Sequence, residues 1–261
     1  MKLQLETSIY QEVEKLYDEL SEYYQLLYPD IAESNRRIAK EIDLKILKPM
    51  KAKKIFECAC GTGHMVIELA KLGYEVTGSD ISSKMIEKSI SNAKKAGVDV
   101  RFIRSNFLDL SANIEEKFDI IICRGNSFSH IKPEDFEVAL ENMGSALKKG
   151  GICYVDIRDY ESAIREKPLF EHRAHLRFDS TDVVSFYILD YKGDLRTYNI
   201  FFVFFDRKTD TVSHKLITIN GYFVFENTLI TAFKKAGFKD IKRIKLDNEP
   251  KGINIYIGIK K

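Results

Sequence analysis

The run Glu57-Cys58-Ala59-Cys60-Gly61-Thr62-Gly63 has the residue types of a ligand-binding turn between a strand and a helix. Small residues after an acidic strand end let the backbone turn tightly and approach a ligand at the strand's carboxyl edge. A second acid, Asp80, ends the next β-rich run, where a carboxylate can accept hydrogen bonds from both hydroxyls of a ribose. Together the loop and the acid point to an adenosine-type ligand. A dinucleotide loop is the rival, but such a loop usually keeps a third glycine, and this chain has Met65-Val66 there. These residues alone do not separate the two ligand classes.

The elements that must position this loop alternate between short β-rich runs and amphipathic helices. Strands are expected at Lys54 to Cys58, Tyr74 to Gly78, Val100 to Ile103, Asp119 to Cys123 and Ile152 to Asp156. Helical spacing joins Met65, Leu69 and Leu72, then Met85, Ile86, Ile90 and Ala93, then Phe136, Ala139, Leu140, Met143 and Leu147. Gly73, Gly97 and Gly150 fall where helices are expected to end in a left-handed residue. Near-continuous apolar strands separated by helices predict a parallel sheet covered on both faces. Ahead of it, helical spacing runs from Ile9 to Tyr24 and from Ile31 to Leu47.

From His172 to Phe225 the pattern changes to β-type runs separated by turns at Lys192-Gly193-Asp194 and Asp206 to Asp210, which predicts an antiparallel insert. A helix through Leu229 and Phe233 and two strands, Ile241 to Leu246 and Ile253 to Ile259, then return to the sheet. The expected organisation is a single domain over 1–261: an N-terminal helical segment (1–50), a ligand-binding core (51–160), an inserted β cap (161–225) and a return to the core (226–261).

Residues 54–160 resemble a class I S-adenosylmethionine-dependent methyltransferase. Cys123-Arg124-Gly125-Asn126-Ser127-Phe128-Ser129-His130 and Asp156-Ile157-Arg158-Asp159-Tyr160 resemble the glycine N-methyltransferase and glycine/sarcosine methyltransferase branch. The resemblance implies a Rossmann-like, seven-stranded, mostly parallel α/β sheet with helices on both faces and an antiparallel cap inserted after the fifth strand. It implies S-adenosyl-L-methionine as cofactor, held by Glu57, Ala59, Gly61, Gly63 and Arg124 at the loops, with Asp80 on its ribose. Asn106 and Phe107 would frame the adenine, and Arg36, or its neighbour Arg37, would reach the methionine carboxylate. Ala59 departs from the glycine that many methyltransferases carry there, an exchange compatible with the glycine methyltransferases.

For the acceptor, the resemblance implies Asn126 and Arg158 as the residues that hold an amino acid, with Tyr28 and Tyr222 facing the substrate. Arg158 suits a carboxylate because its planar fork grips bidentately, and the Asn126 carbonyl can orient an amine. His130 is expected to be structural or an orienting group rather than a general base. The expected activity is methyl transfer to the amine of a small carboxylate-bearing substrate such as glycine or an N-methylglycine. The alternatives are another small N or O acceptor, a non-catalytic adenosyl-binding module and an NAD-dependent protein.

Composition narrows the partners. Lys plus Arg (41) nearly balances Asp plus Glu (39), without the basic excess that nucleic-acid binding tends to produce. Cys58, Cys60, Cys123 and Cys153 lie in or beside apolar runs and follow no metal-ligand spacing, so reduced thiols, a cytoplasmic location and no metal are expected. No apolar stretch reaches membrane-spanning length. A small-molecule amine or amino acid is the expected partner, with self-association left open.

Overall fold

The computed structural model describes residues 2–110 and 114–261, and side chains from residue 11 onward. The side chains of Ile9 and Tyr10 lie outside the described residues. Strands β1 (Lys54–Cys58), β2 (Glu75–Asp80), β3 (Arg101–Arg104), β4 (Phe118–Cys123) and β5 (Leu147–Arg158) pair in parallel. Next come β6 (Phe170–Arg177), β7 (Thr181–Lys192), β8 (Leu195–Asp206) and β9 (Thr211–Tyr222), which form a separate four-stranded antiparallel sheet. The chain then re-enters the first sheet as β10 (Phe238–Ile244) and β11 (Ile253–Lys260): β11 runs antiparallel to β5, and β10, antiparallel to β11, runs the same way as β5. The first sheet has seven strands in the order β10-β11-β5-β4-β1-β2-β3. This is the expected architecture.

The strands form because they are apolar on both sides. Phe56, Ile120, Ile121, Ile122 and Val155 are fully buried, as a sheet sandwiched between helical layers requires. One face packs Leu140, Met143 and Phe233 from the helices Phe136–Ala146 and Glu226–Lys235. The other packs Ile38 and Ile42 of α3 (Ile31–Ile42) with Val66 and Leu69 of α4 (His64–Lys71). Gly150, expected to end a helix, lies inside β5 with φ 77°.

The N-terminal stretch expected as one helix divides into α1 (Lys2–Leu20) and α2 (Tyr24–Leu27). The Ser21 hydroxyl donates to the Asp18 carbonyl at 2.7 Å, one way a serine competes with helix continuation. Leu20 and Leu27 pack on the inner face of the cap sheet, against Tyr187, Leu189, Tyr198, Ile200 and Ile217. Burial in β7 and β8 alternates along much of each strand, so one face of the cap is turned to the helices. Gly193 closes the β7–β8 hairpin at φ 61°, where only a two-residue turn separates Lys192 from its partner Leu195.

The order of strands matters for function. The chain runs outward from β1 through β2 to β3, then crosses back to β4 on the other side of β1. Cys58 and Cys123 are register partners at the carboxyl ends of β1 and β4, so the loops after them diverge and open a crevice.

Candidate active site

The crevice is deep and continuous. Its first half is lined by Ala59, Gly61, Asp80, Ile81, Met85, Asn106, Phe107 and Arg124, and is covered by Val13 and Tyr17 of α1 and by Tyr24. The second half runs past Glu57, Asn126, Asp156, Arg158 and Tyr28 to Arg173 of the cap. Tyr24, Ala59, Gly61, Arg124 and Gly125 line both halves.

Backbone geometry at the loop fits a ligand. Ala59 adopts φ 51°, a left-handed conformation that costs a non-glycine residue energy and that tends to mark functional turns. Gly61 has φ 55°, and a Cβ built there would meet nothing within 4 Å. Its N–H donates to Asp80 Oδ2 at 2.8 Å, while Ser82 N–H donates to Oδ1 at 3.0 Å. Burial nevertheless raises the Asp80 carboxyl to about 6, against the lowering effect of these bonds. Gly63 corrects an expectation: it does not line the crevice. At φ 79° it begins α4, and a Cβ there would lie 2.8 Å from the Ser89 Cβ, so it is a packing glycine.

Glu57 is buried, and its Oε2 has no hydrogen-bond partner. Burial raises its carboxyl to about 8, even with the Arg124 charge pulling it down. Glu57 lines the crevice, and an unpartnered carboxyl oxygen there is costly unless a ligand supplies a donor. Arg124 itself is committed within the chain: it donates to Glu249 at 2.6 Å and to Asn35 at 3.0 Å, and lies 3.7 Å from Asp156.

Asp156 ties two loops together, accepting the N–H groups of Gly125 at 3.1 Å and Asn126 at 2.7 Å. Asn126, at φ 62°, spends its amide inside the chain. Nδ2 donates to the Tyr160 hydroxyl at 2.7 Å, and Oδ1 accepts the Arg158 N–H at 2.9 Å. The Arg158 guanidinium stands 3.9 Å from Glu171 and 5.6 Å from the Tyr198 ring centroid. Tyr28 packs on Tyr24, and its hydroxyl lies 3.1 Å from that of Tyr187. Asn106 and Phe107 reach the Asp80 side of the crevice, with Phe107 stacked on Phe128 at 5.8 Å. His130 is half-buried with its Nε2 2.7 Å from the Tyr17 hydroxyl, and desolvation lowers it to about 4.

Two further expectations are corrected. Arg36 is half-exposed and pairs with Glu33 at 3.0 Å and Glu68 at 3.7 Å, beside a different surface depression. The face of α3 that meets the crevice carries Ile31, Ser34, Asn35 and Ile38, so helical periodicity turns Arg36 away; Arg37 is exposed. Tyr222 ends β9 and does not line the crevice; the charged groups acting on it are Lys132, Asp194, Glu134 and Asp135. Sequence reasoning missed Arg173, Glu249 and Asn35, which converge from three distant segments.

Among the described residues, no group of three or more His, Cys, Asp or Glu is arranged to hold a metal ion. No helix there is long and apolar enough to cross a membrane.

The family described as "Methyltransferase domain" matches residues 55–151. A glycine/sarcosine N-methyltransferase of Aphanothece halophytica is 32% identical over 151 residues, 58% of this chain and 57% of that enzyme. The chain thus spans little more than half the length of this curated relative. Among solved structures, DesVI of Streptomyces venezuelae superposes with a TM-score of 0.74 at 18% identity, covering 92% of this chain and 98% of that one. CalS10, an amino pentose methyltransferase of Micromonospora echinaspora solved with S-adenosylmethionine bound, superposes with a TM-score of 0.68 at 14% identity, covering 88% and 92%. Residues 55–151 are thus similar to a methyltransferase domain, and the chain shares the fold of these solved structures.

Proposed function

We propose that the chain is an S-adenosylmethionine-dependent N-methyltransferase acting on the amine of a small carboxylate-bearing acceptor, such as glycine or an N-methylglycine. The observation that carries this reading is the continuity of the crevice. A ribose-type acid, Asp80, and a carboxylate-type arginine, Arg158, end two strands and open into one cavity whose halves share Ala59, Gly61 and Arg124. The similarity to a glycine/sarcosine N-methyltransferase supports the acceptor class.

The residues present fit the cofactor. Asp80 takes the ribose hydroxyls, Asn106 and Phe107 take the base, and Glu57, whose Oε2 lacks a donor, takes the ammonium of the methionine part. The cofactor supplies a methyl group on a sulfonium, already activated for in-line displacement by a neutral amine. The chain's own task is alignment. Arg158 fixes the acceptor through its carboxylate, Asn126 fixes the Arg158 backbone, and the rings of Tyr24 and Tyr28 line the cavity beside them.

Incubating the chain with S-adenosylmethionine and a panel of amines, and measuring S-adenosylhomocysteine, tests the proposal. Amino acids are expected to turn over while methylamine, which lacks the carboxylate, does not. Equal turnover of both, or heat protection by NAD and not by S-adenosylhomocysteine, would overturn it.

A further inference from the structure

Arg173 stands apart from the other arginines of the crevice. Its guanidinium carbon lies 4.9 Å from the Tyr28 ring centroid and 5.0 Å from that of Tyr187, so the two rings hold it in place. Its Nε is buried without a hydrogen-bond partner, as are those of Arg124 and Arg196, but unlike theirs its guanidinium forms no ion pair with a carboxylate among the described residues. Yet it lines the second half of the crevice together with Arg158.

Charge counting at this end of the cavity is unbalanced. Arg158 and Arg196 share one acid, Glu171, which stands 3.9 Å from Arg158 and directly hydrogen-bonds the fully buried Arg196, while Arg173 has no acid of its own. The remaining acids of the crevice belong elsewhere: Glu249 and Asp156 surround Arg124, Glu57 also feels the Arg124 charge, and Asp80 serves the other half. Among the described residues, Arg173 therefore has no ion-pair partner, and Arg158 shares its one acid with Arg196. A partly buried cation without a counter-charge is unfavourable unless a ligand supplies one. Cation–π contact with Tyr28 and Tyr187 holds the Arg173 guanidinium but does not neutralise it.

We propose that Arg173 and Arg158 form a two-point anion clamp, so that the methyl acceptor is an amine carrying two negative charges rather than one. This rests on the N-methyltransferase reading and narrows its substrate class. Two carboxylates, or one doubly charged phosphonate- or phosphate-type head, share the chemistry that the two guanidinium forks recognise.

Calorimetry on the full chain, saturated with S-adenosylhomocysteine, tests this with three probes. Glycine carries one negative charge, aminomethylphosphonate places the same amine on a doubly charged head, and iminodiacetate sets the amine between two carboxylates. At least one dianion is expected to bind tenfold or more tighter than glycine, and which one separates a single head from two. Arg173→Gln should weaken that dianion tenfold or more while leaving glycine within threefold, and Arg173→Lys should recover part of the loss. Unchanged S-adenosylhomocysteine affinity certifies that the variants fold, and if it is lost the wild-type ranking decides. Glycine binding as tightly as both dianions, or Arg173→Gln affecting all three probes equally or none, overturns the clamp. Methyl transfer is read separately. Arg173-dependent dianion binding with no S-adenosylhomocysteine formed from any amine would sink the methyltransferase reading and leave the clamp standing. Glycine turnover without a dianion preference would do the reverse.

Discussion

Asn126 Oδ1 accepts a hydrogen bond from the backbone N–H of Arg158 at 2.9 Å, so the loop after the fourth strand fixes the end of the fifth. The other end of the amide is held as firmly, by Nδ2 donating to the Tyr160 hydroxyl at 2.7 Å. Asn126 therefore acts first by positioning Arg158. Replacing it by Ala removes the partner of a part-buried N–H and one of the partners of the buried Tyr160 hydroxyl, a loss of about 1–3 kcal/mol in all. The expected outcome is a lower midpoint of denaturation together with a fall in acceptor kcat/KM, while S-adenosylmethionine affinity stays within twofold. An unchanged midpoint and unchanged kinetics would show that the bond positions nothing.

Asp80 carries the cofactor prediction. It holds the Gly61 N–H at 2.8 Å, so the acid that would grip the ribose also sets the turn beneath the methionine part. Asp80→Ala should weaken S-adenosylmethionine binding by about 1.5–3 kcal/mol, roughly tenfold to 150-fold. Calorimetry showing wild-type affinity in the variant would remove the assignment.

How much of this was legible beforehand follows from where each partner comes from. The Gly61 turn and Asp80 end adjacent strands, and their residue types announce them within a short stretch of chain. Arg158 was legible because it ends a strand on the ligand-binding edge. Arg36 was not, because one residue of helical rotation separates it from Asn35, which does face the crevice, and periodicity alone does not say which side of α3 meets the core. Arg173 lies on an alternating strand whose inner face is decided by packing on α2 and the N-terminal tyrosines. The short helix Tyr160–Glu166 went unanticipated although Asp159 caps it, its side chain accepting the Ser162 N–H at 3.1 Å.

Glu57 makes the site sensitive to pH. Burial raises its carboxyl from the ordinary 4.5 to about 8. An acid raised in the folded state keeps its proton there between those two values. Its contribution to stability is thus full below the ordinary value and is lost as pH rises toward about 8. An ammonium placed beside it favours the carboxylate, so S-adenosylhomocysteine binding near neutral pH should release a proton, and affinity should rise as the solution becomes alkaline. Calorimetry in two buffers of different ionisation enthalpy measures the release. Glu57→Gln should abolish it, and the same release from wild type and variant would place the ammonium elsewhere.

The central claim is that Arg158 holds the acceptor by a carboxylate while the cofactor is held independently. The most direct measurement is acceptor kcat/KM alongside the S-adenosylmethionine dissociation constant in wild type, Arg158→Lys and Arg158→Ala. Lysine keeps the charge but loses the planar fork, so it should already be impaired, and alanine more so. Breaking such a charge pair costs about 2–5 kcal/mol, roughly 30-fold to several thousand-fold in the acceptor parameter. The account predicts a loss of that size in Arg158→Ala with the cofactor constant nearly unchanged. A change of less than about threefold, under about 1 kcal/mol, would contradict it and point to an acceptor without a carboxylate.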